Sequence, residues 1–256
     1  MAAEQDNRKL WRPEWKRDVV YLHVFPRENA KCLPNFSPYA MKLEMWLRLN
    51  DIPYVVIDHS GFSRKRQNPF ILFNEEEIPD TNFIIEMLSA YFNKEIYPDA
   101  SSELRAVGRS FLKMVEENTA WTIYWYRYVH HLPEYMKYVK FHDDEEMNEK
   151  AGKDLGKYVK DRAWSHGIGR HSNEEIYKIG CDDVRAISTF LGPKIYFLGN
   201  TPTLVDCTLF AVLTQITCVP LDFPMMKVIR EECPNLLDYI ERLKVKCWPH
   251  WDDQKI

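Results

Sequence analysis

The sequence predicts an α+β chain, a small βαβ-ββα domain followed by an all-helical one. Three observations carry that expectation. An unbroken β-branched and aromatic run, Val19–Phe25, precedes a segment of helical periodicity and then a second strand. Two short apolar runs separated by an acidic turn follow, and then another helix. Beyond the linker Pro98-Asp99-Ala100-Ser101-Ser102 almost everything shows helical spacing. The expected divisions are a polar N-terminal tail over 1–17, the α/β domain over 18–97, the helical domain over 103–247 and a C-terminal tail over 248–256.

Each element has its own warrant. The first helix is predicted over Pro38–Asn50, because Met41, Met45 and Leu49 recur at i+4 spacing. Ser37 is a good N-cap, and Pro38 suits the first helical position, where its missing N–H would be unpaired anyway. Pro53–Ile57 reads as the second strand, and its parallel pairing with the first needs that crossover helix. A basic loop, Ser63–Asn68, leads into a hairpin formed by Pro69–Phe73, the acidic turn Asn74–Glu77 and Ile78-Pro79-Asp80. Thr81–Asn93 is helical again, with Ile84, Ile85, Leu88 and Phe92 on one face. The helical domain is expected to comprise Glu103–Glu117, Thr119–His131, Asp143–Trp164, Asn173–Leu191, Leu204–Cys218, Met225–Glu232 and Asn235–Cys247. Thr203-x-x-Asp206 before an apolar run is a capping-box start, and Trp248-Pro-His-Trp251 docks the chain end onto the domain.

Composition excludes several classes. The 256 residues carry a net charge of −4 with both signs mixed, so no footprint for nucleic acid or an anionic membrane stands out. The longest apolar run, Cys207–Leu221, is short and broken by Thr, Gln and Pro, so no transmembrane segment is expected. Met1–Asp18 lacks the apolar core of a signal peptide, which points to a cytoplasmic protein. Six scattered cysteines without a CxxC pair or zinc spacing fit a reducing compartment, and only Cys32 lies near the first helix start. No metal is expected: His130-His131 end a helix, and His142 precedes acids that start another. His166 and His171 flank a turn, Gly167-Ile168-Gly169, with no strand before it.

Ser37-Pro38-Tyr39-Ala40 is the most telling stretch. A helix start gathers unpaired N–H groups and partial positive charge, so it stabilises an anion such as a thiolate. The stretch resembles the Cys-Pro-Tyr-Cys of glutaredoxins with both cysteines replaced, which excludes dithiol–disulfide exchange there. The element order resembles the thioredoxin-like arrangement, and Leu198–Asp206 resembles the opening of the buried central helix in cytosolic glutathione S-transferases. More narrowly, the chain resembles the failed axon connections family with the related metaxins and cadmium-responsive proteins. Pro34–Tyr39, Lys42–Leu47, Glu77–Thr81, Gly167–His171 and Glu232–Leu236 carry that resemblance.

The resemblance implies a glutathione S-transferase C-terminal helical domain, glutathione as co-substrate and small electrophiles as second substrates. It implies Ser37 as the catalytic hydroxyl holding the glutathione sulfur, with N-capping alone as the alternative reading. Lowering a thiol pKa from about 8.5 to about 6.5 needs roughly 2.7 kcal/mol of preference for the thiolate. A hydrogen bond and a helix N-terminus together are of that order. Asn68, a cis Pro69 and Phe70 are implied to meet the cysteinyl part of glutathione, and Asp80-Thr81 its γ-glutamyl end, with Thr81 also capping the next helix. Lys65, with Arg64 and Arg66, is placed to meet the glycyl carboxylate, or is simply a solvated loop. Trp121, Tyr124, Trp125 and Tyr128 fall at i, i+3, i+4 and i+7, and with Tyr39 they form either a hydrophobic co-substrate pocket or packed core. Against catalysis, Val24-Phe25-Pro26 puts valine where tyrosine-type transferases carry their tyrosine. The alternative is a non-catalytic adaptor on the same fold, using protein partners in axon development, trafficking or stress response. A homodimer is a further implication of the resemblance.

Overall fold

The structure, a computed structural model, describes Arg12 and residues 14–30, 32–59, 61–249 and 251. Strand β1 (Val20–Val24) is followed by helix α1 (Pro38–Leu49) and strand β2 (Tyr54–Asp58). The hairpin β3 (Phe70–Phe73) and β4 (Glu76–Pro79) then leads to α2 (Thr81–Tyr91). The strands lie in the order β2-β1-β3-β4, with β1 parallel to β2 and antiparallel to β3, and β3 antiparallel to β4. This is the predicted βαβ-ββα order.

Central position makes β1 buried on both faces. Val20, Leu22 and Val24 face the core shared with α1 and α2. On the other face Trp15 stacks on Tyr21 at 4.0 Å, and His23 stacks on Phe70 at 4.6 Å with His59 edge-on to both. Helix α1 is buried along almost its whole length, Lys42 and Glu44 included. Burying a charge is costly unless it is paired. Glu44 therefore accepts from Arg27 through both oxygens (2.6 and 2.7 Å), from Arg48 at 2.8 Å and from the Tyr54 hydroxyl at 3.0 Å.

The helical domain opens with α3 (Ser102–Met114), α4 (Ala120–Tyr124) and α5 (Leu132–Tyr135), then α6 (Glu145–His166) and α7 (Asn173–Leu191). It closes with α8 (Leu204–Thr217), α9 (Pro224–Glu231) and α10 (Asn235–Cys247). The two helices expected over Glu103–Glu117 and Thr119–His131 are one rod. Wide π turns over Val115–Thr119 and Trp125–His130 join α3 to α4 and extend α4, all in helical backbone. Helix α8 is buried from Leu204 to Ile216. Its capping box is present as expected, and Asp206 does more than cap. It accepts from the Thr203 and Phe197 amides (2.7 and 2.8 Å) and from the Thr203 and Tyr239 hydroxyls (2.9 and 2.7 Å). One buried carboxylate thus joins α8, the loop before it and α10. Trp248 and Trp251 both pack on Phe210, at 5.7 and 5.8 Å, so these two tryptophans dock onto the helical domain; residues 252–256 of the predicted tail lie outside the described residues.

Helix α7 turns Asp183 against the first π turn, where it accepts from the Thr119 hydroxyl at 2.6 Å and the Asn118 amide at 2.9 Å. Burial is the chief influence and raises its pKa above the ordinary 3.8. The native state therefore takes up a proton more readily than the unfolded chain, so ionisation of Asp183 opposes folding at neutral pH. The stability released grows as pH falls through the raised native value and is complete below 3.8. Asp183→Asn keeps the acceptor and removes the charge. It is expected to stabilise the protein by about 1 kcal/mol at neutral pH in urea unfolding, with the gain vanishing on acidification.

Candidate functional site

The site is built where α1 begins. Ser37 is its N-cap, with extended backbone (φ −88°, ψ 115°), and its hydroxyl oxygen accepts from the Ala40 amide at 3.3 Å. That bond uses a lone pair, so the hydroxyl hydrogen remains free to donate. The Ser37 amide donates to Asn35 Oδ1 at 2.9 Å, and Asn35 Nδ2 donates to the Phe25 carbonyl at 2.8 Å. Ser37 is 8 % exposed. Earlier in the chain, Asn29 and Ala30 reach the helical domain. Ala30 bridges antiparallel to Val139, and the Lys140 amide donates to the Asn29 carbonyl at 3.1 Å. Phe36 stacks on Phe25 at 5.1 Å and meets Phe141 edge-on at 6.1 Å.

The Asn68–Pro69 bond is cis, as expected, and Phe70 opens β3 directly after it. Asn68 Nδ2 donates to the carbonyls of His59 and Gly61 at 3.2 and 3.0 Å, holding the preceding loop. Asp80 has φ 75°, a left-handed region rarely entered outside glycine. Here the structure corrects the expectation for Thr81. Asp80 is the N-cap of α2, accepting from the Asn82 and Phe83 amides at 3.0 and 3.4 Å, and Thr81 is the first helical residue. Asp outranks Thr as a cap because its carboxylate reaches those amides and complements the helix dipole. Gln67 Nε2 donates to the other Asp80 oxygen at 3.3 Å.

Lys42, about one turn beyond Pro38 at the helix start, is only 1 % exposed. Its ammonium donates to Thr81 Oγ1 (3.2 Å), Asn82 Oδ1 (2.7 Å) and Glu116 Oε1 (2.6 Å). Burial lowers its pKa, and the carboxylate of Glu116 opposes that shift. The first π turn presents Glu116, so α1, α2 and the helical rod are joined at one buried ion pair. Lys65 is exposed, with its ammonium 5.4 Å from the centre of the Phe83 ring in the first turn of α2.

The predicted aromatic face is present in the contacts between its members: Trp121 meets Tyr124 edge-on at 6.0 Å, Tyr124 lies 6.0 Å from Tyr128, and Trp121 packs with Trp125. Trp125 joins a separate small core with Ala163, Ile168 and Ile176, and its indole donates to Asn173 Oδ1 at 2.8 Å. Trp121 stacks on His166 at 5.1 Å. Tyr124 also hydrogen-bonds Tyr39, whose hydroxyl donates to the Glu116 carbonyl at 3.2 Å, and Tyr128 meets Tyr135 edge-on at 5.3 Å. Tyr39 and Tyr124 therefore meet at the junction of the domains, Tyr128 lies beside Tyr124, and Trp125 packs in the small core. Burial raises the pKa of all three phenols, so they stay protonated donors.

Spacing sets Arg127, like Tyr126, off the aromatic face and leaves open whether it reaches the cleft. It is wholly buried, and its guanidinium donates to both the side-chain carbonyl (2.6 Å) and the main-chain carbonyl (2.5 Å) of Gln215. Nothing in its spacing marks it, because an arginine in an exposed-looking helical repeat reads as solvated. Among the described residues no three His, Cys, Asp or Glu side chains are grouped to hold a metal, and no helix is long and apolar enough to cross a membrane.

The glutathione S-transferase N-terminal domain family matches residues 38–133, and the glutathione S-transferase C-terminal domain family matches 180–243. Failed axon connections of Drosophila melanogaster is 34 % identical over 93 % of this chain, which spans 60 % of that relative's length. Isoprene-epoxide–glutathione S-transferase of Rhodococcus sp. strain AD45 is 25 % identical over 87 % of this chain and 98 % of its own. A metaxin-1 homologue of Caenorhabditis briggsae is 27 % identical over 66 % of this chain and 46 % of its own. Among solved structures, beta-etherase LigF from Sphingobium sp. strain SYK-6 superposes with a TM-score of 0.64 at 17 % identity, covering 88 % of this chain and 94 % of its own. A glutathione S-transferase from Methylobacterium radiotolerans, solved with glutathione sulfonate, gives 0.59 at 14 % identity over 92 % and 94 % of the two chains. With the βαβ-ββα order, the cis Asn68–Pro69 bond and the buried capped α8, these place the chain in the glutathione S-transferase superfamily, on the branch of failed axon connections and the metaxins.

Proposed function

We propose that this protein binds glutathione and conjugates electrophiles slowly through a serine-type site, as a cytoplasmic homodimer. The observation that carries the reading is the uncommitted hydroxyl hydrogen of Ser37 at the N-terminus of α1. The same helix is tied by Lys42 to Thr81, where the γ-glutamyl end would lie, and Asp80 stands beside it. Ser37 would donate to the glutathione sulfur, the backbone at Asn68, Pro69 and Phe70 would meet the cysteinyl part, and Lys65 the glycyl carboxylate. The thiolate sulfur would form a bond to carbon of the electrophile while the departing or ring-opened group takes a proton. Tyr39, Tyr124 and Tyr128, held protonated by burial, would line the apolar side of that site, and water would supply the proton. The Rhodococcus relative is named for such a reaction on an epoxide.

A second reading, an adaptor without turnover, is favoured by the burial of Ser37, which is only 8 % exposed. Calorimetric titration with reduced glutathione and with S-methylglutathione separates the two. Micromolar-to-millimolar binding is expected for both ligands. Ser37→Ala is expected to leave S-methylglutathione binding unchanged and to raise the bound thiol pKa by about 1–2 units, the loss of a hydrogen bond to a charged group. Absence of heat with either ligand would leave the adaptor.

A further inference from the structure

Between α5 and α6 the chain runs as a strap over residues 136–144, and both ends of the strap are fixed. At its start the Met136 amide donates to the Leu132 carbonyl at 3.0 Å and the Tyr138 amide to the Tyr135 carbonyl at 2.9 Å. At its end Asp144 caps α6, and Asn148 Oδ1 accepts from the Phe141 and His142 amides at 2.7 and 3.2 Å. Helix α6 in turn lies hard against the rod and the start of the strap. A Cβ added at Gly156 would stand 2.5 Å from the Tyr128 carbonyl oxygen, and one added at Gly152 would stand 2.5 Å from Met136 Sδ. Glycine permits that approach.

The middle of the strap crosses to the α/β domain. Val139 bridges antiparallel to Ala30, the Lys140 amide donates to the Asn29 carbonyl at 3.1 Å, and Phe141 meets Phe36 edge-on at 6.1 Å. Phe36 immediately precedes the Ser37 N-cap. The N-cap itself is fastened another way, inside the fold. Asn35 Nδ2 donates to the Phe25 carbonyl, Asn35 Oδ1 accepts from the Ser37 amide, and the Asn35 main-chain carbonyl accepts from Gln215 Nε2 at 3.2 Å. None of these groups belongs to the strap, so its release would leave Ser37 where it stands. Lys137, Lys140 and residues 142–147 are exposed. One bridge, one main-chain hydrogen bond and one ring pair open locally far more readily than a whole domain unfolds.

We propose that the strap is a gate on the α1 N-terminus: latched, it keeps Ser37 only 8 % exposed, and its release admits a ligand to a hydroxyl already in place. The gate does not depend on glutathione being that ligand. Ser37→Cys in a Cys32→Ser background puts a reporter thiol at the N-cap. Its alkylation by iodoacetamide is followed on its own peptide by mass spectrometry, at a pH where the thiol is fully ionised and the rate reads access alone. Adding Ala30→Cys and Val139→Cys lets a disulfide close across the bridge. Opposed residues of an antiparallel pair stand about 4.5–5.5 Å apart at Cα, within the roughly 4.4–6.8 Å that a disulfide spans. The oxidised form is expected to alkylate at residue 37 at least about tenfold more slowly than the reduced form. Phe141→Ala, which weakens the latch without a cross-link, is expected to alkylate at least about threefold faster than the reporter alone. Equal rates in the oxidised and reduced forms overturn the proposal, and so does an unchanged rate with Phe141→Ala. Should the disulfide not form, the Phe141→Ala comparison decides alone. Gated alkylation in a protein that gives no heat with glutathione would sink the proposed function and keep the gate. Glutathione binding with ungated alkylation would do the reverse.

Discussion

Lowering the pH from 6.5 to about 4 is expected to remove roughly 3 kcal/mol of stability through His23, and His23→Phe is expected to abolish most of that loss. His23 is 2 % exposed, and neither ring nitrogen has a partner among the described residues. It lies flat on Phe70, with His59 edge-on at 5.2 Å and Trp15 tilted at 6.0 Å. Burial is the main cause of its depressed pKa, and His59 and Arg12 add repulsion. A native state that refuses a proton while the unfolded chain accepts one is fully stable above 6.5. It loses that advantage as pH falls toward about 4, where the native ring protonates too. His59, also lowered by burial, works in the same direction, whereas Asp183 works against it. Phenylalanine fits a site already made of ring faces and cannot be protonated. Urea midpoints across this interval read the effect, and an acid limb unchanged in His23→Phe would refute it.

What was legible in the sequence, and what was not, divides by the range of the interaction that decides it. Strand β1, helix α1 and the hairpin follow from an unbroken β-branched run, i+4 recurrence and two short apolar runs within a dozen residues, and the structure has each of them, with β4 beginning at Glu76 inside the predicted acidic turn. Thr203 and Asp206 are legible for the same reason, being partners three positions apart. The choice between Asp80 and Thr81 as cap was local too. It turned on which of two adjacent good caps takes the cap position, here Asp80 at positive φ, and spacing says little about that. Lys42 and Arg127 were beyond reach: their partners stand 74 and 88 positions away, and a charged residue in a helical repeat reads as solvated until its neighbours are known. The aromatic face is legible for the same local reason as Thr203 and Asp206, its members meeting at i+3 and i+4, whereas the π turn at Trp125–His130 leaves no signal in the pattern.

Lys42→Met is expected to cost about 3 kcal/mol, more than Lys42→Met combined with Glu116→Gln. The ammonium serves three buried or half-buried acceptors at once, and its removal leaves Glu116 with Asn82 Nδ2 at 3.1 Å and Lys113 at 3.4 Å. Removing one member of a buried pair strands the other charge, whereas removing both returns a neutral contact between the domains. A double-mutant cycle in urea should therefore give a favourable coupling of at least about 1 kcal/mol, and additive losses would show that the pair holds nothing together. The same pair bears on ligand binding. Thr81 spends an oxygen lone pair on Lys42, which orients its hydroxyl hydrogen away from the helix α1 side. If that hydrogen meets the γ-glutamyl carboxylate, the single and double variants both free it to rotate and both weaken glutathione about fivefold to tenfold, the worth of one oriented hydrogen bond. Stability would then recover in the double variant while affinity would not. Affinity recovering together with stability would instead mean that the pair acts on the site only by keeping the two domains docked.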